Sequence, residues 1–339
     1  MENLQPKVAV VILNYNTKPL LERFLPSVTA TEYANKEIWV VDNASKDGSA
    51  QFVYDNFEDV KVLETKANLG YAGGYNWALK RIDADYYVLL NSDVDVNPKW
   101  LNPLVELAIS NNKIGAIQPK ILDAKDKSMF EYAGASGGFL DKWGYPFCRG
   151  RIFDHLEKDN GQYNEKKQIF WATGACMFVS SEAYTNAGGL DVDFFAHMEE
   201  IDLCWRMQRM GYEIWVNPES EVFHVGGGTL AEGSSKKYFL NFKNNLILIV
   251  KNEQGNFWFV KLIWRMILDG ASYFKFLFAG NSQVASAILK AHFAFWKDFR
   301  SAIGKRKNIK LLGSTQVKLF NKSIVWHHFA KKVTKFSQL

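Results

Sequence analysis

The chain has 339 residues, of which 47% are hydrophobic and 15% aromatic, and its formal net charge is +5; this predicts one large domain with an appendage, or two domains. Its three cysteines, Cys148, Cys176 and Cys204, are far apart and lack metal-ligand spacing, which argues against a disulfide scaffold or a zinc site and fits a reducing cytosol. No uncharged apolar run reaches the roughly 18 residues that a membrane span requires, and the polar residues 1–7 are unlike a signal peptide.

The charge is distributed unevenly along the chain. From Leu230 onward there are 19 Lys and Arg but only 4 Asp and Glu, a net charge of +15, whereas the first 229 residues carry −10. This asymmetry predicts an acidic body followed by a basic region that meets phosphates, either of lipid headgroups or of nucleic acid.

The first 120 residues alternate between strand and helix patterns. Apolar runs predict strands at 8–13, 38–41, 60–63 and 86–90. Helices are predicted after Thr17 as N-cap with Pro19 in the first turn, from about Asp47 to Phe57, from the glycine-rich turn 68–74 to Arg81, and from Pro98 to about Ser110. This alternation is typical of a parallel, doubly wound sheet, in which ligands bind at the carboxyl ends of the strands.

The rest of the chain is less regular at first and then helical. Residues 120–175 are rich in glycine and aromatic residues and predict loops and short strands. A helix is predicted at about 198–210, closed by Gly211, then a strand at 212–216 and a loop from Pro218. Residues 236–300 are helical and aromatic in pattern. We therefore predict an α/β domain at 1–230, with a mostly parallel sheet flanked by helices, and a helical, basic region at 231–339.

Residues 86–96, YYVLLNSDVDV, combine a buried strand with acidic residues. Asp93 and Asp95 come just past the strand end, where an α/β protein could hold a divalent cation against a phosphate, because Mg²⁺ and Mn²⁺ prefer oxygen ligands. The alternative is an ordinary exit from a strand with solvated carboxylates.

Polar groups also follow the first three predicted strands. They are Asn14-Tyr15-Asn16, Asp42-Asn43-Ala44-Ser45, and the segment from Lys66 to Gly70 that contains Asn68. Such groups could bind a nucleotide, or could simply start turns and cap helices.

Acidic residues cluster at the start of the helix predicted at 198–210. Glu199, Glu200 and Asp202 follow His197 and could hold a general base near an acceptor hydroxyl. The alternatives are that the helix dipole favours acids there, and that Asp202 pairs with Arg206 at i, i+4. His224, followed by three glycines, is a candidate metal or phosphate ligand.

Taken together, seven segments resemble family 2 glycosyltransferases of the GT-A fold, in particular the rhamnosyltransferase-like branch. They occur in the family's order over residues 7–230 and are VAVVILNYNT, IWVVDNASKDGS, NLGYAGGYNWAL, YYVLLNSDVDV, WATGACMFV, GGLDVDFFAHMEEIDLCWRMQRMGY and VFHVGGGTL. The resemblance implies a dTDP- or UDP-linked sugar donor, a divalent metal (Mg²⁺ or Mn²⁺) and inversion at the anomeric carbon by direct displacement.

The resemblance also implies roles for individual residues. Asp93 matches the metal-binding acid of the family's D-x-D motif, whose first acid is Asn91 here, while Asp95 lies beyond it. His224 matches a further metal ligand, and Glu200 stands at the position of the base, with Asp202 as the alternative. The implied nucleotide site comprises Asn14, Tyr15, Asp42, Asn43, Asn68, Gly70, Asn91 and Asp93, and residues 171–175 would form the floor between donor and acceptor.

The predicted function is transfer of a sugar to a glycan or polyprenyl-linked acceptor in cell-surface polysaccharide synthesis, in the cytoplasm at the inner face of the membrane. The aromatic segment 256–278 is either a helix packed on the sheet or an interfacial helix at an anionic bilayer. The alternative functions are a sugar-phosphate nucleotidyltransferase and a non-catalytic, basic-tailed nucleic-acid-binding protein. A nucleotidyltransferase would need a basic phosphate-binding loop after the first strand, which this sequence lacks. The sequence also has no nucleic-acid-binding signature, so no nucleic-acid partner is expected.

Overall fold

The computed structural model describes residues 5–226 and 234–339. The strands are β1 (Val8–Asn14), β2 (Lys36–Asp42), β3 (Val60–Glu64), β4 (Tyr86–Asn91), β5 (Val94–Val96), β6 (Ile114–Asp123), β7 (Gly138–Leu140), β8 (Pro146–Cys148), β9 (Arg151–Ile152), β10 (His155–Leu156), β11 (Lys167–Gln168), β12 (Cys176–Ser180) and β13 (Glu213–His224). The helices are α1 (Lys18–Thr29), α2 (Ser49–Asn56), α3 (Gly70–Leu79), α4 (Leu101–Ser110), α5 (Ser181–Asn186), α6 (Glu199–Arg209), α7 (Ser235–Asn252), α8 (Trp258–Phe278), α9 (Ser282–Leu312) and α10 (Ile324–Phe329), with 3₁₀ turns at Val192–Phe194 and Phe336–Gln338.

A mixed, mostly parallel sheet organises the molecule. Within the described ranges it has nine strands, in the order β11-β13-β6-β12-β4-β1-β2-β3, with β5 paired to β13. Strands β1, β2, β3 and β4 run parallel, as do β6 and β13, while β12 is antiparallel between β4 and β6. A separate four-stranded sheet is formed by β7–β10. The carboxyl ends of β1, β2 and β4 therefore meet at one edge, as predicted.

The central sheet is buried on both faces. Along β1, Ala9 and Val11 point into a core shared with α3, α6 and α7, whereas Val8, Val10 and Ile12 point into one shared with α1, α2 and α4. A strand covered on both faces is a continuous apolar run, which is why this strand can be recognised in the sequence.

Several strands differ from the sequence prediction. Strands β5, β6 and β12 were not predicted, and β6 carries Gly115 and Pro119, which are poor strand residues. Strand β13 continues through the loop predicted at Pro218, with a shift in register between Asn217 and Glu221 that accommodates the proline.

The C-terminal helices pack on each other and on the body. Helix α7 contacts α6, α8 and α9, and α9 also contacts α6. None of the helices in the described ranges is both long and apolar enough to cross a bilayer. The predicted domain limit at 230/231 and residues 227–229 after His224 lie outside the described residues.

Candidate active site

The ends of β1 and β2 are joined by a hydrogen-bonded polar cluster. Asn14 and Asp42 are register partners, and Asn14 Nδ2 donates to Asp42 Oδ1 at 3.0 Å and to Ser45 Oγ at 3.1 Å. The Ser45 amide donates to Asp42 Oδ2 at 2.9 Å. Thr17 occupies the predicted N-cap position of α1, and its hydroxyl donates to Asn14 Oδ1 at 2.5 Å. Asn14 and Asp42 are buried, so they fix the shape of this pocket edge, whereas the exposed Tyr15 is free to meet a ligand.

A second cluster fixes the glycine-rich turn before α3. Asn43 Nδ2 donates to Asn68 Oδ1 at 3.0 Å and to the Gly70 carbonyl at 3.1 Å, and Asn43 Oδ1 accepts from the Leu69 amide at 2.9 Å. Gly70 has φ +71°, and a Cβ there would lie 3.2 Å from the Phe195 ring, so this position favours glycine on two grounds. The structure thus brings Asn43, Asn68 and Gly70 beside the first cluster, since β1 and β2 are neighbours.

Asp93 and His224, which are 131 positions apart in sequence, lie side by side. The antiparallel pairing of β5 with β13 brings them together, and His224 Nε2 is 3.1 Å from Asp93 Oδ1 and 3.3 Å from Asn91 Nδ2. On its other side, His224 Nδ1 is 3.2 Å from Glu131 Oε1. Burial lowers the pKa of His224, but the carboxylates of Asp93 and Glu131 outweigh it and raise the pKa to about 10.

Asp93 and His224 could together supply two ligands to a divalent cation. Both side chains are buried and their donor atoms face each other, so an ion could take the place of the imidazole proton between them. Across residues 5–226 and 234–339, no three His, Cys, Asp or Glu side chains converge on one point. Two protein ligands are compatible with Mg²⁺ or Mn²⁺ when substrate phosphates and water complete the coordination. Asp95 lies apart on β5, 3.6 Å from Lys127 Nζ.

The two glutamates at the start of α6 face a buried region. Within the described residues, Oε2 of Glu199 and Oε2 of Glu200 are enclosed and have no hydrogen-bond partner. Burial and the neighbouring carboxyl raise the pKa of Glu199 well above its usual range, and burial raises the pKa of Glu200 to about 7. A carboxyl group with a pKa near neutrality is suited to take a proton.

Asp202, the alternative base, is enclosed in an ion-pair network. It is 0% exposed, its Oδ2 is 2.8 Å from Arg206 Nη2, and its Oδ1 is 2.8 Å from Lys251 Nζ and accepts from Asn252 at 2.7 Å. Burial raises the pKa of Asp202, but Arg206 and Lys251 outweigh it and hold the pKa below its usual value. Both of its oxygens are therefore occupied in positioning α6 against α7.

A strained turn precedes the glutamates. Phe195, His197 and Met198 have φ of +61°, +69° and +76°, a conformation that costs non-glycine residues about 1–2 kcal/mol each. Asn244 of α7 is fully buried beside this turn, and its Nδ2 donates to the carbonyls of Phe194 at 2.8 Å, Ala196 at 2.9 Å and His197 at 2.9 Å. Sequence reasoning missed Asn244, because nothing in the sequence of the predicted helix distinguishes it from the neighbouring Asn241 and Asn245.

Residues 174–175 are held by hydrogen bonds from α3 and from the end of β4. The Tyr71 hydroxyl donates to the Gly174 carbonyl at 2.7 Å, and the backbone N–H of Asn91 donates to the Ala175 carbonyl at 3.0 Å. Burial and the neighbouring Tyr75 hydroxyl, followed by the carboxyls of Glu199 and Glu200, raise the pKa of Tyr71 well above its usual value. Tyr71 thus contacts Gly174 and is close to both glutamates, while Asn91 contacts Ala175 through its backbone and His224 through its side chain.

Comparison with known proteins agrees with this architecture. Residues 9–184, just over half of the chain, match the family model for glycosyl transferase family 2. Over 273 residues the chain is 26% identical to N-acetylglucosaminyl-diphospho-decaprenol L-rhamnosyltransferase from Mycobacterium tuberculosis, with 76% of this chain and 88% of that protein covered.

Two solved structures share the fold. A mannosyltransferase from Pyrobaculum calidifontis, in complex with GDP-Man and Mn²⁺, superposes with a TM-score of 0.55 at 18% identity, covering 91% of this chain and 86% of its own. GalNAc-T7 with UDP, GalNAc and Mn²⁺ gives a TM-score of 0.57 at 16% identity, covering 74% of this chain and 48% of its own, so the match spans about half of that protein. The predicted GT-A fold is confirmed.

Proposed function

The chain belongs to glycosyl transferase family 2, and we propose that it is a metal-dependent, inverting enzyme that moves a sugar from a nucleoside-diphosphate donor to a polyprenyl-linked or glycan acceptor. Family membership makes it a glycosyltransferase rather than a nucleotidyltransferase or a non-catalytic binding protein. The observation that carries the finer proposal is the pairing of Asp93 with His224 at the end of β13, together with the enclosed, unpartnered carboxyl oxygen of Glu200 at the start of α6.

The chain's own residues account for the steps of the reaction. The clusters around Asp42 and Asn68 shape the nucleoside pocket, and Asn91 lies beside the diphosphate position. Asp93 and His224 would hold the ion, whose charge neutralises the departing diphosphate. An acceptor hydroxyl attacks the anomeric carbon from the opposite face as the bond to the diphosphate oxygen breaks. Glu200 takes the hydroxyl proton, and the diphosphate leaves with the bonding electron pair.

The choice of Glu200 over Asp202 rests on their surroundings. Both oxygens of Asp202 are paired with cationic or amide groups, so proton transfer to it would break a buried network. One oxygen of Glu200 has no partner within the described residues, and burial holds its pKa near 7, so it can accept a proton at neutral pH.

The relatives support a choice of donor and acceptor for this proposal. The mycobacterial relative is named for rhamnosyl transfer to a decaprenol-linked sugar, so dTDP-rhamnose is our first donor and a UDP-sugar the second. A polyprenyl-linked acceptor would place the enzyme at the cytoplasmic face of the cell membrane, in synthesis of a surface polysaccharide.

A thermal-shift screen of nucleotide sugars with and without Mn²⁺ tests the proposal. We expect one donor to raise the melting temperature only with metal. At a concentration 100 times its dissociation constant, that donor should increase the free energy of unfolding by about 2.7 kcal/mol. Asp93→Ala should abolish this shift, whereas the matched control Asp95→Ala should keep it. An unchanged, metal-dependent shift in Asp93→Ala would refute the metal assignment, and no shift with any donor would refute the proposed activity.

A further inference from the structure

Helix α8 turns its polar side chains inward. Arg265 and Asp269 are buried, with Arg265 Nε 2.8 Å from Asp269 Oδ1, and Asp269 Oδ2 is 3.3 Å from His292 of α9. The Arg265 guanidinium also lies 3.6 Å from the centre of the Tyr145 ring and donates to Asn245 of α7. The inner face of α8 therefore consists mainly of polar side chains whose charges are paired, with few apolar residues such as Leu262.

The outer face of the same helix is apolar. Its large side chains are 39–84% exposed and recur at spacings of three and four residues: Phe259, Val260, Ile263, Trp264, Ile267, Phe274, Leu277 and Phe278. From residue 260 to residue 278 this stripe is about 27 Å long. A helix on a water-exposed surface usually shows the opposite arrangement, and within the described residues this apolar face is left uncovered.

Aromatic residues extend this surface onto neighbouring elements. Trp264 shares a groove with Trp143, Trp326 and Phe329, which is also lined by lysines, including Lys331. On α9, Phe293 and Trp296 are exposed as well. Tryptophan beside lysine is the composition expected where a protein meets lipid headgroups.

The charge around the stripe favours an anionic partner. Within residues 234–339 each acidic side chain is paired with a cation: Glu253 with Lys261, Asp298 with Lys243, and Asp269 with Arg265. Several exposed cations have no acidic partner among the described residues, namely Lys275, Lys290, Lys297, Arg300, Lys307 and Lys310. A second copy of this region would bring cation against cation, which disfavours self-association through this face.

We propose that the outer face of α8 docks on an anionic lipid bilayer, with its apolar stripe at the boundary between headgroups and acyl chains and with the surrounding lysines and arginines on lipid phosphates. The inward Arg265–Asp269 pair explains how the helix keeps its polar groups satisfied while its apolar face is turned outward. This proposal deepens the proposed function, and it rests on that function only for the idea that the acceptor is carried by a lipid.

Vesicle flotation of the full chain tests the docking surface. We expect the wild type to float with phosphatidylglycerol-containing vesicles at low salt, less at high salt, and not with pure phosphatidylcholine. Ile267→Glu/Phe274→Glu, at positions 56% and 54% exposed, should reduce the bound fraction at least about ten-fold. The matched control is Ile109→Glu/Tyr54→Glu, at positions 61% and 54% exposed on the body, which adds the same charge and should bind as the wild type does.

Other outcomes would overturn the proposal. These are no binding to anionic vesicles at either salt, equal loss in both double variants, or a wild-type dimer that only Ile267→Glu/Phe274→Glu dissociates. The donor-induced thermal shift, measured on the same proteins, separates the two proposals. Vesicle binding without a donor shift would contradict the enzymatic proposal alone, and a donor shift without vesicle binding would contradict the docking surface alone.

Discussion

Replacement of Asn244 by alanine should impair catalysis more than it impairs folding. The Asn244 amide has two protons and lies within 2.8–2.9 Å of the carbonyls of Phe194, Ala196 and His197, so it can satisfy two of them fully at a time. In Asn244→Ala those carbonyls stay buried without a donor, which costs about 2–3 kcal/mol for two hydrogen bonds. The turn can avoid this cost by relaxing, because Phe195, His197 and Met198 already hold strained backbone angles.

The size of the effect follows from that balance. If relaxation displaces the start of α6, the population with Glu200 in place falls by up to roughly 30- to 160-fold, the equivalent of 2–3 kcal/mol. We therefore expect kcat to fall by one to two orders of magnitude, while KM for the donor changes little. A relaxed turn would also expose Glu200, so its pKa should fall from about 7 toward the ordinary glutamate value and the acidic limb of the kcat profile should move to lower pH.

Steady-state kinetics across pH, together with thermal denaturation, check this prediction. The matched control is Asn245→Ala, the next residue on α7, which is equally buried but donates to the Gly144 carbonyl at 2.7 Å, away from the turn. Both variants should lose stability, but only Asn244→Ala should lose kcat and shift the pH profile. Equal kinetic losses in the two variants, or an unshifted profile in Asn244→Ala, would refute the positioning role.

Three further predictions concern the site. Glu200→Gln should lower kcat by more than about 100-fold and keep the donor-induced thermal shift. Asp202→Asn should instead lower the melting temperature, because removing one charge of a buried ion pair costs about 3–5 kcal/mol of stability. Burial raises the folded-state pKa of Glu200 to about 7, so the folded state loses stability as pH rises from the pKa of the unfolded state toward 7. Glu200→Gln should therefore melt at a higher temperature than the wild type at pH 8 but not at pH 4. Equal melting temperatures at pH 8 would contradict the burial argument. Gly174→Ala would place a Cβ 2.4 Å from the Tyr71 hydroxyl and should lower kcat about ten-fold, whereas Gly270→Ala, with open space around it, should leave kcat unchanged.

The sequence predicts those parts of the site whose positions are determined by the sheet. Asn14, Asp42 and Asn91 each end a strand, and the parallel pairing of these strands brings their ends together independently of the loop conformations. The distinction between Glu200 and Asp202 could not be made in the same way. Spacing indicates that Asp202 can pair with Arg206, but only the packing of α7 on α6 shows that Lys251 takes its other oxygen.

Helix α8 illustrates a different limit of sequence reasoning. Periodicity separates Lys261, Arg265 and Asp269 from the aromatic residues, so an amphipathic helix is predictable from spacing alone. Which side faces the protein is decided by the partners: Asn245, Tyr145 and His292 offer polar contacts to Arg265 and Asp269, and the apolar side is left outside. The helix packs on α7 and α9 and also presents an apolar face, while its contact with a bilayer stays a proposal.

The same contacts bear on how the C-terminal region relates to catalysis. The seven motif segments end near residue 230, yet α7 supplies Asn244 to the turn before α6 and Lys251 to Asp202. On the other side of that turn, the Phe195 carbonyl accepts from the Tyr71 amide at 3.3 Å, and the Phe195 ring lies against Gly70 of the glycine-rich turn. One strained turn thus connects the glycine-rich turn, the start of α6 and the first C-terminal helix. A displacement of α7 would reach Glu200, the proposed base, through the Asn244 amide, so that docking of α8 on a bilayer, as proposed, would involve the helix next to the one that holds this turn.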